Sequence, residues 1–275
     1  MRLLLDYKAD TSVNSRLYEY SDPLLGAITE CREDAASLLI DAGAKLLYKS
    51  IIVAATSLGN ARVVDLVLRR DPSSITKDAI VAAASNGRYG REVAQLLLAG
   101  TKIEIPKAAV KAAARNWKCG NQVMELLLAR DNNNNIGITE AMVKVAAENE
   151  GCGNQVMKLL LARNNNIGTE AVVRAAAENE GCGNQVMKLL LARDNNIGIT
   201  EAVVRAAAKN EGYGNQLMEL FLAQDTNMEI TKAMMIAAAG NDVHRSSCGG
   251  SGGEFELLQG NGRTTAKSRP RHRVH

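Results

Sequence analysis

The sequence predicts an all-α solenoid of stacked helix-turn-helix repeats, and three observations predict it. The string ENEGCGNQVMKLLLAR occupies residues 148–163 and recurs unchanged at 178–193. Alanine-rich and leucine-rich runs alternate along most of the chain, so that each unit holds one segment of each kind. The apolar residues lack the two-residue alternation of half-buried strands, and alanine, leucine, glutamate and lysine favour helices.

The repeat length varies only in the polar stretch behind each leucine run. The runs begin at Leu66, Leu96, Leu126, Leu159, Leu189 and Leu220, which gives successive spacings of 30, 30, 33, 30 and 31 residues. The unit with the longest spacing carries DNNNNIGIT at 131–139, where the next unit has NNNIGT at 164–169. Insertions that leave both apolar segments intact are typical of surface loops, so we place loops here.

The first helix of each unit is predicted to begin after a threonine or a proline. Before EAVVRAAAKN at 201–210, Thr200 stands where a side-chain oxygen accepts a hydrogen bond from the exposed amides of a first turn. The equivalent positions hold Thr76, Thr139, Thr169 and Thr231. One unit has Pro106 instead, which suits a first turn because it has no amide to leave unpaired.

The second helix is predicted to follow a glycine-asparagine pair, with the glycine in the turn and the asparagine as N-cap. The pairs are Gly59-Asn60, Gly120-Asn121, Gly153-Asn154, Gly183-Asn184 and Gly214-Asn215. In QVMKLLLA at 155–162 only Gln155 and Lys158 are polar, so we expect this helix to be covered on most sides. The small alanines of the first helices then pack against the large leucines of the second helices.

Three first helices carry an acidic residue four positions before a basic one. The pairs are Glu140–Lys144, Glu170–Arg174 and Glu201–Arg205. Such pairs add roughly 0.2–0.5 kcal/mol each and are typical of a solvated face. The alternative interpretation is that this stripe, repeated in register, forms part of a binding surface. The candidate protein-binding residues are therefore Lys144, Arg174 and Arg205, with Asn134, Asn165 and Asn195 of the loops.

Short motifs near the N-terminus follow the pattern of a known repeat. LLLDYKAD at 3–10 and LLIDAGA at 38–44 look like the end of such a repeat, and DPLLGAI at 22–28 looks like its Thr-Pro-Leu-His opening. Later units, with A-A-x-x-N before Gly-Asn-x-x-V and a leucine run, have the same helix-turn-helix plan. Residues 1–241 thus resemble the ankyrin repeat superfamily, in particular the degenerate ankyrin-like arrays of large fungal proteins.

The resemblance implies a non-catalytic scaffold that mediates protein–protein interaction. The later units lack Thr-Pro-Leu-His, and asparagine-rich loops replace the Gly-Ala-Asp turn, so binding through the fingers that ankyrin repeats project is not expected. Some fungal arrays of this kind follow an NTPase switch domain. The alternative function is therefore a sensor or regulatory segment of a larger NTPase-type switch protein, of which this chain is the C-terminal part.

We divide the chain into three parts. Residues 1–44 hold ankyrin-like repeats, the first of them truncated because Met1 leads directly into LLLDY. Residues 45–241 form the array of helix pairs, and residues 242–275 form a flexible tail that is first Gly-rich and then basic. A solenoid end without a polar cap exposes an apolar edge. Either the chain is the tail of a longer protein, or Met1 is a misplaced start, or a partner covers this edge.

Composition narrows the function classes further. The formal net charge is +3 and much of the basic excess lies in the tail, so the repeats carry little net charge that would attract nucleic acid. Contact with nucleic acid through the basic tail at 263–273 is the weaker alternative. No stretch reaches the ~18 apolar residues of a membrane span, and residues 1–20 lack a secretory signal. We expect a cytoplasmic protein, or alternatively a nuclear one, whose partner is another protein or an upstream domain of the same polypeptide.

Three cysteines occupy one repeat-equivalent position, at Cys119, Cys152 and Cys182. Packed helices lie about 10 Å apart, which is too far for a disulfide, whose Cα atoms lie within about 7 Å, and too far for shared zinc ligands. No CxxC pair or nearby histidine completes a metal set. We interpret these cysteines as small turn residues in a reducing compartment and expect no metal.

The repeats offer no catalytic set of side chains. The histidines, His244, His272 and His275, all lie after the last repeat. The sequence GGSGG at 249–253 has no following Lys-Ser/Thr and therefore does not make a phosphate loop. We expect the chain to be neither an enzyme nor a cofactor-binding protein.

Overall fold

The computed structural model describes residues 23–30, 32–45, 61–71, 75–99, 102–131, 135–164, 168–194 and 197–224, and the backbone of two strands at 255–260 and 263–268. Within these ranges the chain forms thirteen helices that pack in sequence order. The prediction of an all-α solenoid of stacked helix pairs is confirmed. None of the described helices is long and apolar enough to cross a lipid bilayer.

From α3 onward the described helices alternate between the leucine-rich and the alanine-rich segments. In chain order they are α1 (Pro23–Thr29), α2 (Glu33–Asp41), α3 (Ala61–Arg70), α4 (Lys77–Ser85), α5 (Gly90–Ala99), α6 (Lys107–Arg115), α7 (Gly120–Arg130), α8 (Glu140–Ala147), α9 (Gly153–Arg163), α10 (Glu170–Glu178), α11 (Gly183–Arg193), α12 (Glu201–Lys209) and α13 (Gly214–Gln224). The first helices of the units are α1, α4, α6, α8, α10 and α12; the others are second helices.

The helices form two layers. Each first helix from α4 to α10 packs against the second helix of its own unit and against the first helix of the next unit. The second helices α3, α5, α7, α9, α11 and α13 pack in the same order and form the other layer. Since every central unit is covered by a neighbour on each side, the core runs the length of the stack instead of filling one centre.

The core follows the predicted pairing of small and large side chains. Ala113 and Ala146 of the first helices and Leu127 and Leu160 of the second helices are all completely buried. The layers approach closely because the second helices α5, α7, α9, α11 and α13 begin with glycine: a Cβ atom at Gly120 would lie 2.2 Å from the carbonyl oxygen of Ala113. A larger residue at this position would therefore force the two layers apart.

Threonine stands at the N-cap at every described position where it was predicted, but its side chain makes the predicted capping bond at only two of the four. The hydroxyl oxygens of Thr76 and Thr200 accept hydrogen bonds from the amides of Ala79 and Val203 at 3.1 and 3.5 Å. Thr139 and Thr169 also stand at the N-cap, without such a bond. Pro106 is itself the N-cap of α6. Thr231 lies outside the described residues.

The predicted asparagine N-caps of the second helices are wrong. The helices α7, α9 and α11 begin one residue earlier, at the glycine, and their N-cap residues are Cys119, Cys152 and Cys182, whose side chains make no capping bond. The asparagine that follows lies in the first turn and bonds to the next unit: Asn121 Nδ2 donates to Gln155 Oε1 at 2.5 Å. The glycine must start the helix because only it tolerates the neighbouring carbonyl oxygen. Gly59-Asn60 lies outside the described residues.

A hairpin of two strands lies in the tail that we predicted to be flexible. Strands β1 (Phe255–Gly260) and β2 (Arg263–Ser268) are antiparallel, with Phe255 opposite Ser268 and Gly260 opposite Arg263. The sequence pattern did not predict these strands. The remainder of the segment 242–275 lies outside the described residues.

Candidate functional site

The candidate site is the exposed side of the first-helix layer. We define the first-helix face as the exposed side chains of α4, α6, α8, α10 and α12 with the turns that follow these helices, at 86–89, 116–119, 149–152, 179–182 and 210–213. On each helix the face takes the first and fifth residues and the residue four positions further on, because positions four residues apart lie one above the other along a helix. The same three positions recur on the next helix of the stack.

One buried asparagine fixes each turn of the first-helix face. In the turn that follows α8, Asn149 Oδ1 accepts hydrogen bonds from the amides of Gly151 and Cys152 at 3.0 and 3.1 Å. Its Nδ2 donates to the carbonyl oxygens of Ala114 and Asn116 in the preceding unit, at 2.8 and 3.3 Å. The buried asparagines in this position are Asn86, Asn116, Asn149, Asn179 and Asn210. We call this row the asparagine ladder.

The asparagine ladder was missed at the level of sequence, although the signal was present. The asparagine of the A-A-x-x-N motif follows each first helix from α4 to α12, at a fixed distance before the glycine of the second helix. Asparagine is a turn residue, and a turn residue repeated at one position also suits an exposed loop. Its burial depends on backbone groups of the neighbouring unit, which no single repeat reveals.

The repeat-equivalent cysteines join the same network. The thiols of Cys119, Cys152 and Cys182 donate to the carbonyl oxygens of the preceding ladder asparagines at 3.2, 3.1 and 3.2 Å. All three are free thiols, and Cys152 and Cys182 are buried. Burial raises the pKa of the Cys182 thiol, because the thiolate would lose its water. We predicted these cysteines as small turn residues, and the structure adds that each one also bonds to the neighbouring unit.

The three predicted basic residues occupy equivalent positions on successive first helices. Lys144, Arg174 and Arg205 occupy the fifth position of α8, α10 and α12. Only the last makes the predicted pair, with Arg205 Nη2 lying 2.7 Å from Glu201 Oε1. The other two pair instead with the acidic residue four positions later, Lys144 with Glu148 and Arg174 with Glu178, each at 3.6 Å.

The predicted pairs Glu140–Lys144 and Glu170–Arg174 are wrong because their glutamates bond to the next unit. The hydroxyl of Thr169 donates to Glu140 Oε1 at 2.8 Å, and that of Thr200 donates to Glu170 Oε1 at 2.9 Å. These hydrogen bonds direct the two glutamates toward the next unit and away from the basic residue on their own helix. These bonds add a second row of contacts between neighbouring units.

The three predicted loop residues, Asn134, Asn165 and Asn195, lie outside the described residues. The described part of one loop is anchored from both sides. Asp131 accepts hydrogen bonds from the amides of Asn135 and Ile136 at 2.8 and 3.2 Å, and Arg163 Nη1 lies 3.4 Å from Asp131 Oδ2. Since Arg163 belongs to the next unit, this ion pair also holds neighbouring units together.

A polar groove lies between α10 and α12 on the first-helix face. It has a volume of about 700 Å³ and contains both Arg174 and Arg205. Four glutamates and three basic side chains line it, so its charges nearly balance. Among the described residues, no three histidine, cysteine or acidic side chains lie close enough together to hold a metal ion. The groove therefore presents a mixture of positive and negative side chains to solvent.

Comparison with known families agrees with the structural repeat. A family model described as a domain of unknown function (DUF7104) matches five times, at residues 66–93, 96–124, 126–157, 159–187 and 189–218. Each match runs from the leucine run of one second helix to the start of the next second helix, which is one structural period. No curated protein matches the chain. Because the five matches together cover just over half of the chain, it belongs to the DUF7104 family.

Proposed function

We propose that the array is a non-catalytic, ankyrin-like scaffold of the fungal type that binds another protein along its first-helix face. The observation that carries the proposal is a basic side chain that recurs at one repeat position: Lys144, Arg174 and Arg205 are the fifth residues of three successive first helices. We place this activity in the cytoplasm, or alternatively in the nucleus. Neither a membrane nor nucleic acid is the partner in this proposal.

The rigidity of the first-helix face supports this function. The asparagine ladder and the threonine–glutamate bonds fix the spacing of neighbouring helices through backbone and side-chain hydrogen bonds. A preformed face loses little conformational entropy on binding, so many modest contacts add up to a useful affinity. Lys144, Arg174 and Arg205 each hold an ion pair at the surface, which a partner's charged side chains can exchange at small cost.

Affinity capture with matched charge reversals tests the proposal. The full chain is used as bait, together with a variant that carries Lys144→Glu and Arg174→Glu on the first-helix face. The control carries Lys158→Glu and Lys188→Glu, which change exposed residues of the second helices in the same two units. We expect the first variant to lose the proteins that the unchanged chain captures, and the control to retain them.

Three results would count against a protein-binding scaffold. Retention of the same proteins by the first variant would place the binding elsewhere than on the first-helix face, and their loss from both variants would show that the effect is not specific to this face. Capture of no protein by the unchanged chain would remove the support for any protein partner. Urea unfolding of both variants accompanies the capture, because a variant that loses stability also loses its surface.

A second candidate function places an upstream domain of the same polypeptide against the array. The feature that favours it is the resemblance of residues 1–241 to arrays that follow an NTPase switch domain. Sequencing of the transcript upstream of Met1 tests it. A continuous reading frame that encodes GxxxxGK[ST] after a strand supports this function, and an in-frame stop codon directly before Met1 rejects it.

A further inference from the structure

A second groove on the first-helix face differs from the rest of the face in charge. It has a volume of about 940 Å³ and runs along α6 between the turns that follow α4 and α6. Its lining includes four basic side chains, Arg88, Lys111, Arg115 and Lys118, and no acidic one. The equivalent groove between α10 and α12 has four acidic and three basic side chains. We call the groove along α6 the basic groove.

The charges of the basic groove are not neutralised by described parts of the chain. None of its four cations makes an ion pair with a described residue. In contrast, Lys144, Arg174 and Arg205, which occupy the position of Lys111 on the later first helices, each pair with a glutamate. Instead, Lys118 Nζ lies 5.0 Å from the ring centre of Trp117, and the guanidinium of Arg88 lies 5.2 Å from that of Tyr89. Like charges in one groove repel one another, so an anion there is favoured.

Trp117 adds a large apolar surface to this groove. The side chain is 64% exposed, although the equivalent turn positions hold Gly87, Glu150, Glu180 and Glu211. Its backbone is held by the next turn, since a Cβ atom at Gly151 would lie 2.1 Å from the Trp117 carbonyl oxygen. A tryptophan on a fixed backbone, surrounded by cations, is a typical anchor for a partner side chain.

We propose that the basic groove binds a short acidic segment of a partner protein. The four cations pair with its aspartate or glutamate carboxylates, and Trp117 covers one of its apolar side chains. This proposal rests on the proposed scaffold function and names the chemistry of the partner. It favours a peptide over nucleic acid because the basic region ends after one unit: the next unit presents Glu140, Glu148 and Glu150, which would repel a continuing phosphate backbone.

The single tryptophan makes the test specific to this groove. Trp117 is the one tryptophan of the chain, so a change in its fluorescence reports binding at the groove itself. The probe is a ten-residue peptide of glutamate and aspartate with one central leucine, titrated into the full chain. We expect saturable quenching or enhancement that weakens between about 0.05 M and about 0.5 M salt, because salt screens exposed charges. A signal that is independent of salt, or no signal at all, would overturn the proposal.

Two variants locate the binding, and both are expected to fold. In the first, Lys111→Glu and Arg115→Glu reverse two exposed charges of α6; in the second, Trp117→Glu and Lys118→Gly install the turn residues of the next unit. We expect each to weaken peptide binding, measured by anisotropy of a labelled peptide, by about ten-fold or more. The control with Lys158→Glu and Lys188→Glu on the second helices should change it less than about two-fold.

The remaining outcomes separate this proposal from the scaffold function. If the peptide binds equally to all variants, or if a ten-residue single-stranded DNA binds more tightly than the peptide, the acidic-peptide site is wrong. When that happens while affinity capture still depends on Lys144 and Arg174, the scaffold function stands and only this proposal falls. If capture also recovers no protein, both fall.

Discussion

The side chain of Asn149 lies between two units and bonds to the backbone of both. Its carbonyl oxygen accepts two amides of its own turn, and its amide group donates to two carbonyl oxygens of the preceding unit. Aspartate lacks the donor and serine is too short to reach both sides, so asparagine suits this position. The spacing of the units along the first-helix face therefore depends on a buried side chain.

Replacement of Asn149 by alanine is expected to cost about 2–4 kcal/mol of unfolding free energy, because buried amides and carbonyl oxygens lose their partner. Urea unfolding followed by circular dichroism measures the loss. The matched control is Asn154→Ala, which removes a partly exposed asparagine that donates to the side chain of Gln185. The control should lose less than about 1 kcal/mol. Equal losses would mean that the asparagine ladder does not hold the units together.

The Cys182 thiol is expected to resist alkylation in the folded chain. Burial blocks the reagent, and the raised pKa leaves less thiolate in the folded chain than in the unfolded one at about pH 8.5. Iodoacetamide labelling should therefore be roughly ten-fold or more slower in buffer than in concentrated urea. Tryptic peptides separate this thiol from Cys152, since they begin at Ala175 and Val145. Similar rates in both solvents would contradict the burial.

At the scale of the helix, the period and the composition of the segments were enough to predict most elements. The alanine-rich and leucine-rich segments became α4 to α13, and the described residues of the polar stretches with variable length lie between these helices. The start of the second helix could not be predicted, because it is decided by the contact between Gly120 and the carbonyl oxygen of Ala113 in the other helix. Local capping rules describe one helix and do not include its neighbour.

Leu160→Asp is expected to cost several kcal/mol of unfolding free energy, because Leu160 is completely buried and the new carboxylate would have no partner there. Glu170→Ala on the neighbouring first helix is the comparison. It removes an exposed carboxylate and one hydrogen bond from Thr200, so it should cost less than about 1 kcal/mol. Urea melts of the two variants measure the difference, and comparable losses would show that the buried face of α9 is assigned wrongly.

At the scale of the whole molecule, the first-helix face changes charge along the stack. The α6 unit presents Lys107, Lys111 and Arg115 at the three positions of the face, whereas the α8 unit presents Glu140, Lys144 and Glu148. Periodicity predicted where the face lies and which basic residues repeat on it. It could not single out Trp117, because a residue that occurs in one unit has no period, and its exposure is a property of the packed turns.

The stack should also tolerate the removal of one whole unit. Deletion of residues 149–178 joins Glu148 to Asn179 and leaves the local sequence ENEGCGN unchanged across the junction. The helix α8 then stacks on α12, and α7 stacks on α11, with equivalent side chains in contact. We expect a folded chain with the same helical content per residue, a lower urea midpoint and a smaller m-value, since less surface is buried.

Deletion of half a unit is the matched control for this experiment. Removal of residues 149–163 takes away one turn and α9, so that α10 would follow α8 in the place of a second helix. The small side chains of α10 cannot fill the space that Leu160 and Met157 leave in the second layer, and the chain should lose cooperative unfolding. If both deletions fold equally well, the units are not the independent building blocks of the array; if neither folds, the contacts that stabilise it extend beyond nearest neighbours.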